Sequence, residues 1–425
     1  MNGTEQKDLQ ALSKCEQFIG PLFGFVAMLV VNSVYLAYKG VFLAPDSSFY
    51  ILGADRLVAA GFDFRTFLHD SPAFGQYLGF VTWCAVLKSV VGENWPAAVI
   101  GGNAIANALT VAVLTHALRR TGICWQARLC AICWCMIAFD LLVWSKGLLS
   151  DPTFLVLATS AVTVSASCIK PLTTSLSRRI GMLSLAAVLS IAAICWRPTG
   201  IALVGPLSVC VLLGLLPQRF QVKRVFTLLA TLVVVEAGFL VFAHFMSEPE
   251  SWPLPFGGGN ISYTAHYYDD GQVVWKRYAT YHAEPETLMD YHLITLDRLR
   301  YWFACYESEF SFAHKLYNCV FYIPLFTGTV IALAFWTCRT SSSNEQSDRL
   351  VTVLLSTVLT FSAMHAMLQV DYGWRYRVPI IPCLMMLSAV ALDTAIQNLR
   401  RRSAAKITDV AVRGARSESS TEIDD

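Results

Sequence analysis

Charge is scarce in this sequence. Only 15% of its 425 residues are Asp, Glu, Lys or Arg, where a soluble domain carries about 25%. The shortage argues against a water-soluble globule, and the small net charge of +2 identifies no partner. No basic stripe points to nucleic acid. No HExxH motif or carboxylate cluster demands a metal, so neither metal nor cofactor is expected. Runs of short alternating strands, the mark of a membrane barrel, are missing. So is a clear internal repeat of the kind many transporters carry. A cleavable leader is not expected either, because residues 1–17 are polar and the next apolar run is long enough to anchor. The 13 cysteines are an odd number and lie mostly inside apolar runs, which argues against a disulfide framework. Cys130-Ala-Ile-Cys133-Trp-Cys135 has metal-like spacing, but small thiols buried along a helix account for it as well.

What the chain has in abundance is apolar sequence, 55% of all residues. Apolar runs fall near 18–38, 72–92, 97–118, 129–145, 150–169, 180–196, 200–216, 226–246, 317–338, 350–370 and 378–396. Many approach the roughly 20 residues a helix needs to cross a bilayer, and a helix satisfies its own backbone in lipid. The expectation is an all-α polytopic membrane protein with about 10–12 transmembrane helices over 1–396. A cytoplasmic disordered tail is expected over 397–425, where basic and then Ser/Glu-rich sequence lacks core-forming residues.

Charge placement predicts sidedness. Arg119, Arg120 and Arg128, Lys170, Arg178 and Arg179, Arg219, Lys223 and Arg224, Arg339 and Arg349, and Arg400 to Arg402 fall in short loops or the tail. Such residues mark the cytoplasmic side. Loop 247–313, with Glu248, Glu250, Asp269, Asp270, Glu284, Glu286 and Asp290, belongs outside, as does loop 40–71. Parity fails once: two full spans between loop 40–71 and Arg119 would put that arginine outside. Either 72–92, which opens with Ser-Pro and carries Lys88, lies along the outer face, or the arginine loop breaks the rule. Within 286–313 the spacing predicts a helix in a small outer cap.

The outer face then gathers the unusual residues: loop 40–71, the Lys146–Asp151 turn, Trp196-Arg197-Pro198-Thr199-Gly200, and Asp371-Tyr372-Gly373-Trp374-Arg375-Tyr376-Arg377. Arginines fork onto phosphate, aromatics stack on sugar rings, and a carboxylate can take a proton from a hydroxyl.

These patterns resemble the GT-C superfamily of membrane glycosyltransferases, which use polyprenyl-phosphate sugars. The resemblance rests on Asp46-Ser-Ser-Phe-Tyr50 followed by Ala54-Asp55-Arg56-Leu57 and Gly61, on Ser71-Pro72 through Tyr77 to Gly92, on Ser150-Asp151-Pro152, on Arg197-Pro198-Thr199-Gly200, and on Arg375-Tyr376-Arg377-Val-Pro379 through Pro382. One departure is that Pro72 stands where the family usually has a proline pair. The resemblance implies a GT-C-like fold and an inverting transfer at the outer face, with Asp46 as base and Asp55 or Asp70 in reserve. Arg197, Arg375 and Arg377 would hold the donor phosphate, and Tyr50, His69 and Trp374 the sugar or acceptor. The implied partners are a polyprenyl-phosphate sugar donor, a glycan, lipid or protein acceptor, and membrane lipid. The implied location is a bacterial inner membrane rather than endoplasmic reticulum.

Each residue also has a plainer reading. Asp46 could cap its helix through the following serines, Asp55 could pair with Arg56, and His69-Asp70 could be a solvated turn. The arginines could anchor at headgroups. Asp140, inside an apolar run, is expected to pair with a polar helix neighbour. Asn103 and Asn107 are expected to bond between helices, and His365 to be structural. A transporter or lipid flippase, or a non-catalytic assembly subunit, is the alternative function.

Overall fold

The computed structural model describes residues 3–168, 176–215, 288–305, 311–338, 345–367 and 374–419. Its helices are α1 (Gly3–Lys39), α2 (Pro45–Ala59), α3 (Phe64–Asp70), α4 (Leu78–Val91), α5 (Trp95–Arg120), α6 (Trp125–Met136), α7 (Phe139–Ser145), α8 (Asp151–Cys168), α9 (Leu176–Trp196), α10 (Val204–Leu215), α11 (Leu288–Trp302), α12 (Phe312–Cys338), α13 (Glu345–Met367) and α14 (Ile381–Ser419). Short 3₁₀ turns cover Pro72–Tyr77, Gly92–Asn94, Pro198–Leu203 and Trp374–Ile380. Among the described residues the β-contact recorded is an isolated bridge between Phe42 and Gly147.

Six stretches among the described residues are long and apolar enough to cross a bilayer: Gly20–Lys39, Pro72–Arg120, Ser177–Trp196, Phe312–Cys338, Gln346–Ala366 and Tyr376–Ala404. A seventh results if α6 and α7, bent by 48° at their junction, count as one broken span. The chain is therefore a polytopic helical membrane protein. Of the eleven apolar runs, 72–92 and 97–118 fall within one stretch, 129–145 is the bent pair, and 150–169 and 200–216 form α8 and the shorter α10. The run 226–246 lies outside the described residues, as do loop residues 247–287, with their glycines and the Asn260-Ile-Ser262 sequon.

Burial separates central helices from peripheral ones. In Gln346–Ala366, 89% of the window is buried inside the protein, against 17% in Gly20–Lys39 and in Ser177–Trp196. On α1, Leu22, Val26, Val30 and Val34 are exposed at helical spacing, a stripe suited to lipid contact. Helices α13 and α14 instead contribute a row of buried side chains, among them Leu354, Phe361, Leu384 and Leu387. Asn103 donates from Nδ2 to the Gly147 and Leu149 carbonyls at 3.0 Å each, and Asn107 donates to the Leu141 carbonyl. The two asparagines thus tie α5 to the chain around α7 and the turn after it.

Residues 42–99 build a second, smaller core. Tyr50, Ala54, Leu57, Phe67, Phe74, Phe80, Val81, Cys84 and Trp95 pack there with Leu148 and Leu149. Helix α4 has 14 residues, or about 21 Å, short of the roughly 30 Å hydrocarbon layer. It buries Phe80, Val81, Cys84 and Ala85 in this core. Gly92, at φ 67°, separates it from α5 in a conformation that side chains with a Cβ rarely adopt. These features favour the reading in which 72–92 is not a full crossing.

The chain end departs from expectation. A disordered tail is expected after residue 396, but α14 continues to Ser419. The segment is rich in Arg and Ala and contains no Pro. A helix already nucleated by a packed span propagates cheaply through such residues.

Candidate functional site

Helix α2 presents the first acid. Pro45 suits the first helical position, and Asp46 follows in the first turn, where the helix dipole favours negative charge. The entry is fixed by Ser47: the Ala44 N–H donates to Ser47 Oγ at 3.0 Å, and Ser47 Oγ donates to the Leu148 carbonyl at 3.1 Å. Asp46 is half-buried, and Tyr50 lies one turn further on and so on the same face. Tyr50 is 1% exposed and bonds Ser150 Oγ at 3.2 Å.

Ser150 leads into α8, whose first residue is Asp151. Asp151 and Arg197 form a buried ion pair. The Arg197 guanidinium also lies 6.0 Å from the Phe154 ring. Burial first, then Tyr77, push the Tyr50 phenol above its ordinary range, while Arg197 opposes and Asp46 and Asp151 add to the rise. Tyr50 therefore stays a neutral hydrogen-bonding group. Asp46, Tyr50, Tyr77, Ser150, Asp151 and Arg197 thus form one electrostatic neighbourhood. It lies where the small core meets the ends of α8 and α9.

The turn after α9 explains how Arg197 is held. Arg197 N–H donates to the Ala193 carbonyl at 2.9 Å, and Gly200 N–H to the Arg197 carbonyl at 2.9 Å. A Cβ on Gly200 would sit 2.6 Å from backbone atoms of Ala193 and Ile194. Glycine is required there by close approach.

The reserve acids are engaged elsewhere. Asp55 pairs with Lys88 of α4, not with Arg56 as expected. Arg56 instead donates to Ser71 Oγ at 2.7 Å and reaches the Phe74 ring at 5.8 Å. The local pair lost because α2 packs on α4, which presents an ammonium to one residue and turns the other toward Ser71. His69 and Asp70 contact each other at 2.9 Å on the exposed end of α3.

Arg377 belongs to an adjoining cluster. Its Nη1 donates to the Ala304 carbonyl at 2.8 Å, and its guanidinium lies 4.5 Å from the Tyr322 ring. Its charge also reaches Asp140. Asp140 is fully buried, and its Oδ2 accepts from Tyr322 Oη and, at 3.4 Å, from Tyr317 Oη. Its other oxygen is buried without a hydrogen-bond partner. Asp140 therefore has the polar partners expected for an acid within apolar sequence.

His365 links the two clusters. It stacks on Trp302 at 4.4 Å and approaches Tyr376 at 5.7 Å, and it lies within electrostatic reach of Arg197. Its Nδ1 meets the Phe361 carbonyl at 2.9 Å. Trp374 and Arg375 belong to the turn before α14, but their side chains, like residues Asp371–Gly373, lie outside the described ones.

Sequence reasoning missed Asp151 as the partner of Arg197, and it missed Tyr77, Tyr317, Tyr322 and Trp302. One signal was available for Asp151: Asp151-Pro152 and Arg197-Pro198 are opposite charges at two helix ends assigned to the same face. Among the described residues, no group of His, Cys, Asp and Glu could hold a metal, and the cysteines are free thiols. No family model, curated protein or solved structure matches the chain.

Proposed function

We propose that this protein is an inverting membrane glycosyltransferase of GT-C-like architecture. It would act at the outer face of a bacterial inner membrane. The donor is a sugar on a polyprenyl phosphate, whose lipid stays in the bilayer. The acceptor is a hydroxyl of a glycan, lipid or protein. The observation that carries the reading is the gathering of Asp46, Tyr50, Asp151 and Arg197 where the small core meets the bundle. A half-buried acid and a buried guanidinium that both act on Tyr50 are the minimum this chemistry needs.

In the reaction, the acceptor oxygen bonds to the anomeric carbon as the carbon–oxygen bond to the lipid phosphate breaks. The phosphate leaves with that electron pair. Asp46 takes the hydroxyl proton. Arg197 stabilises the charge that develops on the phosphate, and Asp151 holds the guanidinium in place beforehand. Tyr50 and Tyr77 form the wall beside Asp46. Arg377 approaches the donor from the adjoining cluster, with Arg375 two residues before it in sequence. His69 and Trp374 are the proposed sugar or acceptor contacts.

The test is transfer of radiolabelled sugar from polyprenyl-phosphate mannose, glucose and arabinose by membranes containing the chain. Transfer from one of these donors, and none from the matching nucleotide sugars, is expected. Substrate-independent lipid scrambling without sugar transfer would favour a flippase instead.

A further inference from the structure

The other ends of α5, α8 and α13 enclose a groove that plays no part in the proposed transfer. It is lined by Arg120 and Thr121 at the end of α5, Thr163 and Ser167 near the end of α8, and Gln346 and Arg349 at the start of α13. From Asp151 to Ser167 along α8 is about 24 Å at 1.5 Å per residue, so the groove lies far from the Asp46 cluster. Its open space, about 210 Å³, is several times a water's roughly 30 Å³ and can admit a phosphate group.

The lining carries two guanidinium groups and no carboxylate. Asp348 is buried next to Arg349 in sequence but does not line the groove. More positive charge stands close by: Arg119 lies within electrostatic reach of both Arg120 and Arg128. Two hydroxyls are already directed to their own helices, with Thr121 Oγ1 donating to Leu118 at 2.9 Å and Ser167 Oγ to Thr163 at 3.0 Å. Thr163 Oγ1 is buried without a hydrogen-bond partner. Two forked cations around an open space match a phosphate oxyanion. The groove sits among helix ends, where headgroups meet a membrane protein, and basic pockets between spans suit anionic headgroups.

We propose that this groove binds the phosphate of an anionic group, with an anionic phospholipid headgroup as its natural source and free phosphate as the other. The full-length protein in detergent is titrated with dihexanoyl-phosphatidylglycerol, with dihexanoylglycerol lacking the phosphate, and with inorganic phosphate, and binding is read from the shift in melting temperature. The phosphatidylglycerol is expected to raise the melting temperature, and dihexanoylglycerol is not. R120Q/R349Q should weaken that binding about tenfold or more, and Thr163→Val by less. A response to inorganic phosphate as strong as to the lipid, and lost in R120Q/R349Q, supports the same site with free phosphate as its ligand. Arg120 is exposed, so R120Q alone should fold and should still weaken binding if the double variant does not fold. Equal stabilisation by dihexanoylglycerol, or phosphatidylglycerol binding unchanged in folded R120Q and R120Q/R349Q, overturns the proposal.

Discussion

Arg197 and Asp151 form an ion pair with only 7% and 5% of their side chains exposed. It joins the turn after α9 to the first residue of α8. Removing one partner from such a pair strands a buried charge, at a cost of about 3–5 kcal/mol. Asp151→Asn and Arg197→Gln should each destabilise strongly, and the double variant less than the sum of the two. Thermal unfolding of all four proteins measures that coupling, and additive losses would dissolve the pair as a unit.

Gly200 tests the same turn through its backbone. The Cβ of Gly200→Ala would meet α9 backbone at 2.6 Å, so the turn must shift. The expected loss is about 1–3 kcal/mol, with weaker donor binding because Arg197 moves. An alanine variant with wild-type melting temperature and donor affinity would show that the turn has slack.

Asp140 depends on tyrosine donors. Tyr322→Phe removes one of them from a fully buried carboxylate and should cost about 1–3 kcal/mol. Tyr317→Phe, at the longer 3.4 Å contact, should cost less on that carboxylate, although it also frees the Phe139 N–H bonded to Tyr317 at 2.9 Å. Chemical denaturation of the purified variants gives the order.

Sidedness can be read directly. In a background with the exposed Cys130, Cys133, Cys195 and Cys338 replaced, His69→Cys should react with a membrane-impermeant maleimide from outside intact cells. Arg349→Cys should react only after permeabilisation. Labelling of both from one side would remove the outward placement of the Asp46 cluster.

The class of fold was legible because it follows from composition: low charge and long apolar runs leave helices as the spanning element. Lys88 was a readable sign that 72–92 is unusual, and its pairing with Asp55 shows how that charge is accommodated. The same pairing was not readable, since Arg56 is the neighbour in sequence while Lys88 becomes one only when α2 packs on α4. Asp140 and Arg377 likewise come within electrostatic reach through folding, across six intervening helices among the described residues. Arg377 was readable as a donor contact from its place in a motif, but its seat beside Tyr322 of α12 and Ala304 just after α11 depends on packing that no local pattern encodes. The helical tail was missed because polarity argued for disorder, while helix propensity and an attached packed span argued the other way.

The most direct test of the account is Asp46→Asn in purified, correctly inserted protein, with donor binding and sugar transfer measured together. The amide keeps the shape but cannot accept the proton, and a general base contributes about 10²–10⁴-fold. The account predicts transfer reduced by at least about 10² with donor affinity and melting temperature close to wild type. Near-normal transfer by Asp46→Asn would contradict it and move attention to Asp55 or Asp70.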